Sequence, residues 1–290
     1  MADPQHWLIT GASSGIGRLA AERLQQQGHR LTVICRSQQR ADQTLGWLTG
    51  ESRLLLADLA DLDQVQAVGQ ALRQRDDALD GLLLNAGLQY AGHRQVRWSA
   101  QSLELTIAVN HLAHQRLVMD LLPLLLRSPA PRLVITASEV HNPASGGGRV
   151  GRPAGLGDLS GLKKHSEMVN GERPFDADKA YKDSKLCNLL MGRHLAERHP
   201  QLPVICWSPG LVIPRGRDGF FRNSREANPL GQALFGFVAR DLLRLTEHPQ
   251  RAAELLERLV LDPAMPLGFS YWSNTLLGPG RHRFERAETS

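Results

Sequence analysis

Six short apolar runs constrain this chain more than any other feature: HWLIT (6–10), RLTVIC (30–35), SRLLLA (52–57), GLLLN (81–85), RLVITA (132–137) and PVICW (203–207). Their flanks carry Gly, Asp, Asn, Ser or Pro, as the ends of buried strands do. Between them lie stretches with helical spacing, at 15–27, 38–48, 61–75, 99–127 and 178–199. Continuous apolar strands alternating with helices predict a parallel sheet covered on both faces, with right-handed crossovers. The expected fold is therefore α/β, a doubly wound parallel sheet in a single domain over residues 1–290. With 290 residues, 42% of them hydrophobic, the core of such a domain is easily supplied.

Two regions break the alternation. Residues 139–177 separate the fifth run from the next helix and are rich in Gly, Pro and Asn, including SGGG (145–148). A loop this long inside a domain is either functional or disordered. Residues 211–246 follow the last clear strand, and their apolar part, PLGQALFGFVARDLLRL, reads by default as a core helix, or else as an amphipathic cover over a pocket. Both segments are expected at the C-terminal edge of the sheet, where such folds bind ligands, open or partly disordered without substrate. Phe220, Phe221, Phe235 and Phe237 are expected as apolar walls of a pocket there.

Charge and cysteine usage narrow the partners. The formal net charge is +5, and only five of the 34 basic residues are lysine. No basic run is interleaved with aromatics, so a nucleic-acid site is not expected, whereas an Arg-rich face allows peripheral contact with an anionic membrane. Cys35, Cys187 and Cys206 form no metal spacing and suggest a reducing compartment. Cys187 reads as a buried apolar residue. His111 and His114 lack a third ligand and read as structural, so no metal is expected. No signal peptide is visible at the N-terminus, and the longest apolar stretch is too short to cross a bilayer, so the expected location is cytoplasmic.

LITGASSGIG (8–17) joins the first strand to the first helix, with Gly11, Gly15 and Gly17 in a G-x-x-x-G-x-G spacing. Such a turn brings backbone close to a phosphate, and the helix N-terminus adds free N–H groups. Ser13 and Ser14 are extra donors, and Ile16 lies within the same turn. After the second strand, Arg36 suits a ribose 2′-phosphate, with Arg40 in support; a solvated arginine at a helix start is the plainer alternative. Asp58, followed by Leu59, either binds the adenine amino group or caps the next helix. Asn85, Ala86 and Gly87 form a turn whose backbone suits the adenosine ribose. In AYKDSKLCN (180–188), Tyr181 and Lys185 share one helix face. They are either an acid and the charge that tunes it or two unrelated surface residues.

In order, TGASSGIG, Asp58-Leu59, NAG, VN (109–110), Ser138 after VITA, YKDSK and SPG (208–210) resemble the short-chain dehydrogenase/reductase family over most of the chain. The resemblance implies a Rossmann-type fold, a nicotinamide cofactor and a catalytic set of Tyr181, Lys185, Ser138 and Asn110. Tyr181 would be the proton donor, with its pKa lowered by Lys185. Lys185 would also hold the nicotinamide ribose, Ser138 would hydrogen-bond substrate or tyrosine, and Asn110 would bend a helix and hold a relay water. Pro209 and Gly210 would flank the nicotinamide. With Arg36, the cofactor expected is NADPH.

A narrower resemblance rests on GLGDLSGL…FDADKAYKDSKLCN (155–188), NHLAH (110–114) and YWSN (271–274), which look like the light-dependent protochlorophyllide oxidoreductases. It implies light-dependent reduction of a tetrapyrrole ring double bond, with a cysteine two residues after the catalytic lysine, here Cys187. The chain departs from that pattern in WSPGLVIPRGRDG. Ser208 replaces an aromatic residue, Leu211 a cysteine involved in substrate handling, and Pro214 a threonine that meets the carboxamide. These changes gather at the substrate end. The expectation is an NADPH-dependent reductase of a bulky apolar small molecule. The alternatives are a carbonyl- or retinol-type dehydrogenase and a non-catalytic NADPH-binding sensor.

Overall fold

The computed structural model describes residues 3–75, 78–216 and 219–288. Positions 1–2 of the N-terminal segment and 217–218 of the segment expected at 211–246 lie outside the described residues. In chain order the elements are β1 (His6–Thr10), α1 (Gly15–Gln26), β2 (Arg30–Cys35), α2 (Gln38–Leu45), β3 (Arg53–Leu56), α3 (Leu62–Arg75) and β4 (Gly81–Leu84). Then come α4 (Leu105–Ile107), a π-helical turn (Ala108–Leu112), α5 (Ala113–Leu125), β5 (Arg132–Thr136), a 3-10 turn (Glu139–His141), α6 (Ser160–Lys163) and α7 (Ala177–Arg198). The chain closes with β6 (Pro203–Ser208), α8 (Arg222–Ala227), α9 (Pro229–Gly236), a second π-helical turn (Phe237–Leu242), α10 (Pro249–Leu261), β7 (Gly268–Gly278) and β8 (Arg281–Ala287).

The strands form one sheet in the order β3-β2-β1-β4-β5-β6-β7-β8, parallel from β3 to β7. Period-two alternation sends neighbouring residues of each strand to opposite faces. Leu8, Leu82, Leu84 and Ile135 pack with Leu117 and Leu121 of α5 and Leu189 of α7. Trp7, Ile9, Leu83 and Val134 pack with Leu24 of α1 and Leu256 and Leu259 of α10. Because both faces are covered, the strands read as continuous apolar runs. The strand order reverses between β1 and β4, and the C-terminal ends of these strands open a crevice there.

Three sequence expectations change. The helix expected over 99–127 starts at Leu105, because Glu104 turns back to accept the amides of Thr106 and Ile107 and so caps it. Residues 99–104 form a turn, with a bridge between Trp98 and Glu104 and Ser102 at φ +54°. The apolar stretch at 229–242 is not a core helix. Leu230 is 84% exposed, Leu234 64% and Phe237 55%, whereas Gly236 and Ala239 are buried. Finally, β8 pairs antiparallel with β7 and ends the sheet. Its Arg and Glu side chains hide it from a search for apolar runs and guard the sheet edge.

Candidate active site

The turn between β1 and α1 is shaped by what its glycines touch. A Cβ at Gly11 would come within 2.7 Å of Ala86 Cα, and one at Gly17 within 2.3 Å of Asn85 Nδ2. Gly11 lets the turn lie directly on the Ala86 backbone, and Gly17 makes room for the Asn85 side chain. Gly15, at φ +60°, differs, since nothing lies within 4 Å of its Cβ position. Ser14, the N-cap of α1, makes no side-chain capping bond, and the first turn carries no acid. The helix therefore presents its positive end and first N–H groups to open space. The residues present fit a phosphate group.

That space is one cleft of ≈ 1980 Å³, well above the roughly 300–1,000 Å³ of ordinary ligand pockets. Ser13, Ser14, Gly15, Ile16, Arg36, Arg40, Asp58 and Leu59 line it beside the glycine turn. Asn85, Ala86, Gly87, Ser138, Tyr181, Lys185, Pro209 and Gly210 also line it. Arg36 is exposed at the end of β2, while Arg40 donates to Gln43. Asp58 is not the helix cap: its carboxylate accepts from the Ala60 amide. Asp61 does the capping, accepting the amides of Asp63 and Gln64.

Tyr181 and Lys185 reach the cleft from α7, whose N-terminus is capped by Asp176. The Lys185 ammonium lies 5.6 Å from the centre of the Tyr181 ring and donates to the Thr136 carbonyl at 2.8 Å. Burial lowers the Lys185 pKa to about 8. Burial also pushes the Tyr181 phenol up, opposed by its hydrogen bond with Ser138. This corrects the expectation that Lys185 lowers the Tyr181 pKa in the free protein: the ammonium is aimed at a backbone carbonyl, and both groups are desolvated.

Asn110 does not line the cleft. It is fully buried in the π-helical turn, where Oδ1 accepts from the Leu88 amide at 2.8 Å. Its Nδ2 donates to the Leu88 carbonyl at 2.9 Å and to Ser184 Oγ at 3.1 Å. It thus ties the loop after β4 to the helix of Tyr181.

Two residues not singled out for this site complete it. Thr10 Oγ1 accepts the amides of Asn85 and Ala86, both at 3.0 Å. His114 Nδ1 lies 3.0 Å from the Asn110 carbonyl and must donate to it, so Nε2 accepts the Thr10 hydroxyl proton at 2.9 Å. Burial lowers the His114 pKa to about 3, which keeps the ring neutral as this network requires. His111, hydrogen-bonded to Asn188, is lowered by burial to about 4. In sequence, only the i,i+3 pairing of the two histidines was visible.

Residues of both irregular segments border the cleft. From the first come Glu139, Val140, Ser145 and Val150; from the second come Leu211, Pro214, Phe220, Phe221 and Phe235. Phe220 stands edge-on to Tyr181 with centroids 5.3 Å apart, and Phe221 follows at 5.0 Å from Phe220. Phe237, expected as a wall, points outward instead. Ser208 accepts from the Glu139 and Gly210 amides, a structural task in place of an aromatic contact. Burial lifts the Cys187 thiol to about 12, so it is inert as a nucleophile.

A doubly wound sheet with a glycine turn at its switch point and a Ser–Tyr–Lys cluster beside it defines a dinucleotide-fold oxidoreductase. A short chain dehydrogenase family model matches residues 5–148, and the chain belongs to the short-chain dehydrogenase/reductase family. Within that family it is similar to protochlorophyllide reductases. The Avena sativa protein is 34% identical over 285 residues, covering 92% of this chain and 88% of that one. Protochlorophyllide reductase A, chloroplastic, of Triticum aestivum is 33% identical, covering 92% and 71%. Among solved structures, a Shigella flexneri short chain dehydrogenase complexed with NADP superimposes with TM-score 0.63 at 25% identity, over 92% of this chain and 95% of that one. An alcohol dehydrogenase from Thermococcus sibiricus shares the fold, with TM-score 0.65 at 20% identity, over 95% and 97%.

Proposed function

We propose that the chain is an NADPH-dependent reductase that adds hydride and a proton across a double bond of a bulky apolar substrate, as a protochlorophyllide reductase does. One observation carries this reading. Tyr181, hydrogen-bonded by Ser138, faces a cleft that runs from the glycine turn to the phenylalanines of the 211–246 segment. NADPH, when bound, supplies the hydride.

The chain's own residues do the rest. The N-terminus of α1, with Ser13 and Ser14, holds the diphosphate, and Arg36 with Arg40 meets the 2′-phosphate. Asn85 to Gly87, locked by Thr10, seat the adenosine ribose. Tyr181 Oη gives its proton to the substrate carbon that does not receive hydride. The phenolate left behind is stabilised by the Ser138 hydroxyl, while Lys185 would hold the nicotinamide ribose. Phe220, Phe221 and Phe235 cover the apolar substrate and exclude water.

The test is to mix the protein with NADPH and protochlorophyllide in the dark, illuminate, and follow the absorption spectrum. Light-dependent conversion of the pigment is expected. Dark NADPH consumption with a carbonyl substrate, and none with the pigment in light, would favour the carbonyl-type dehydrogenase instead. Leu211 and Pro214 in the substrate loop are the observation on that side. Cofactor choice is tested separately. Arg36→Asp should reverse a preference for NADPH over NADH, because a carboxylate would oppose the 2′-phosphate. Equal wild-type affinity for both cofactors would remove this role from Arg36.

Peripheral membrane contact belongs to the same proposal. No helix among the described residues is long and apolar enough to cross a membrane. Leu230, Leu234, Phe237 and Leu242 nevertheless project from one exposed segment. Flotation with anionic phospholipid vesicles tests this, and Leu230→Glu with Leu234→Glu should abolish it.

A further inference from the structure

Lysine is rare in this chain, with five among 34 basic residues, yet three of the five stand on α7 at positions 179, 182 and 185. All three are buried, at 4%, 4% and 2% exposure. Lys185 belongs to the site already described. Lys182, the residue after Tyr181, also borders the cleft, and its side chain reaches away from Tyr181 to the 148–152 backbone. Its ammonium donates to the carbonyls of Gly148 (3.2 Å), Val150 and Arg152 (3.0 Å). Three N–H donors meet three backbone acceptors, a match that suits a tetrahedral ammonium and not a planar guanidinium. Lys179 and Asp183 make a second bolt. Lys179 donates to the Gly155 carbonyl at 2.8 Å and to Asp183 at 2.7 Å, and Asp183 accepts the Gly155 amide at 2.8 Å.

The gathered segment is one wall of the cleft, since Ala144, Ser145, Gly146, Gly147 and Val150 line it. It is also tied to the catalytic strand end. Ser145 Oγ accepts from the Gly148 amide at 2.9 Å and donates to the Glu139 carbonyl at 2.8 Å, next to Ser138. We propose that Lys182 is a positioning residue: its ammonium draws the 144–152 segment onto the helix that carries Tyr181 and so sets the substrate wall against the proton donor. This inference rests on the proposed reductase activity for its kinetic consequence, but not for its structural one.

The experiment compares the full-length wild type with Lys182→Met, Lys182→Gln and, as a control at an exposed lysine on α6, Lys163→Met. Amide hydrogen exchange is read at Ser145, Gly148 and Arg149, whose amides bond within the segment. The Gly155 amide, held by Asp183, is the internal reference. Lys182→Met should speed exchange at the first three by roughly tenfold or more and at Gly155 by less than about threefold. With NADPH and protochlorophyllide in light, KM for the pigment should rise about tenfold, with kcat within about threefold and NADPH affinity within about twofold. Lys182→Gln, which keeps two donors, should show the same pattern more weakly, and it carries the test if Lys182→Met does not fold. Unchanged exchange in the variants would overturn the proposal. So would faster exchange with unchanged KM, or a fall in kcat alone, which would place Lys182 in the chemistry. If the wild type does not convert the pigment, the reductase reading fails, while the exchange data still decide on Lys182.

Discussion

At the scale of single residues, the site turns on the half-buried Tyr181 and the buried Lys185, whose pKa values desolvation moves up and down respectively. Tyr181→Phe removes the proton donor but keeps the ring, so it should leave NADPH binding intact and lower turnover roughly 10²-fold or more. Full turnover of an accepted substrate by that variant would end the assignment. Lys185 is lowered from 10.5 to about 8, so it carries its charge at pH 7 and loses it as pH rises through that value. The basic limb of kcat/KM should therefore fall near pH 8. Stability should move the opposite way. The unfolded chain keeps the Lys185 proton up to about pH 10.4, so the penalty for burying the ammonium fades between about pH 8 and that value. Loss of activity without loss of stability in that window separates this effect from unfolding; a basic limb only at pH 10 or above would refute it. The glycine turn was legible in the sequence because its spacing is local, whereas Tyr181 and Lys185 stood out only through the ordered motifs that resemble short-chain dehydrogenase/reductases. The direction of the tyrosine shift was not legible, since it depends on burial and on where the ammonium points.

At the scale of elements, the helix through Leu105–Leu125 does two jobs by breaking its own regularity. The π-helical turn places Asn110 against Leu88 and Ser184, and it turns the Asn110 carbonyl to His114. His111 and His114 are neutral in the fold, with pKa values lowered to about 4 and about 3. Their contribution is whole above the ordinary histidine value of about 6.5 and is lost as pH falls from there toward 3, because only the unfolded chain takes up the protons. By pH 5 the loss should be about 2 kcal/mol for each histidine. Urea unfolding at pH 7 and pH 5 checks this. His114→Gln should be less stable at pH 7 yet lose less between the two values, and an unchanged pH dependence would show that His114 does not titrate on unfolding. The start of this helix was misread because Glu104, a capping residue placed by tertiary contact with Tyr90, lies inside an otherwise helical pattern.

At the scale of the molecule, the two irregular segments differ in how they are held. Residues 148–155 are bolted to α7 by Lys179, Lys182 and Asp183. The stretch at 229–243 lies on the surface with Leu230, Leu234, Phe237, Leu242 and Leu243 exposed. Limited proteolysis of the free protein should therefore cut within 211–243 and spare 144–155, and NADPH with protochlorophyllide together should suppress the cutting. Equal cutting of both segments, or no protection by ligands, would mean that the second segment is not a cover for the cleft. The expectation that both segments are open without substrate came from their Gly content, which does not record the lysines that hold one of them.

Sequence alone determined the α/β order, the parallel sheet and the place of the glycine turn. Each follows from short-range periodicity, or from residue types that only one local geometry satisfies. The tertiary structure decided the remainder. It turned the 229–242 stretch outward, added β8 to the sheet edge, put Thr10 and His114 beneath Asn85 and aimed Lys182 at three carbonyls. The physical reason is range. A helix or turn is specified by neighbours within a few positions, whereas a buried hydrogen bond between residues 10 and 114, or 182 and 148, exists only once packing has brought distant segments together and excluded water from between them.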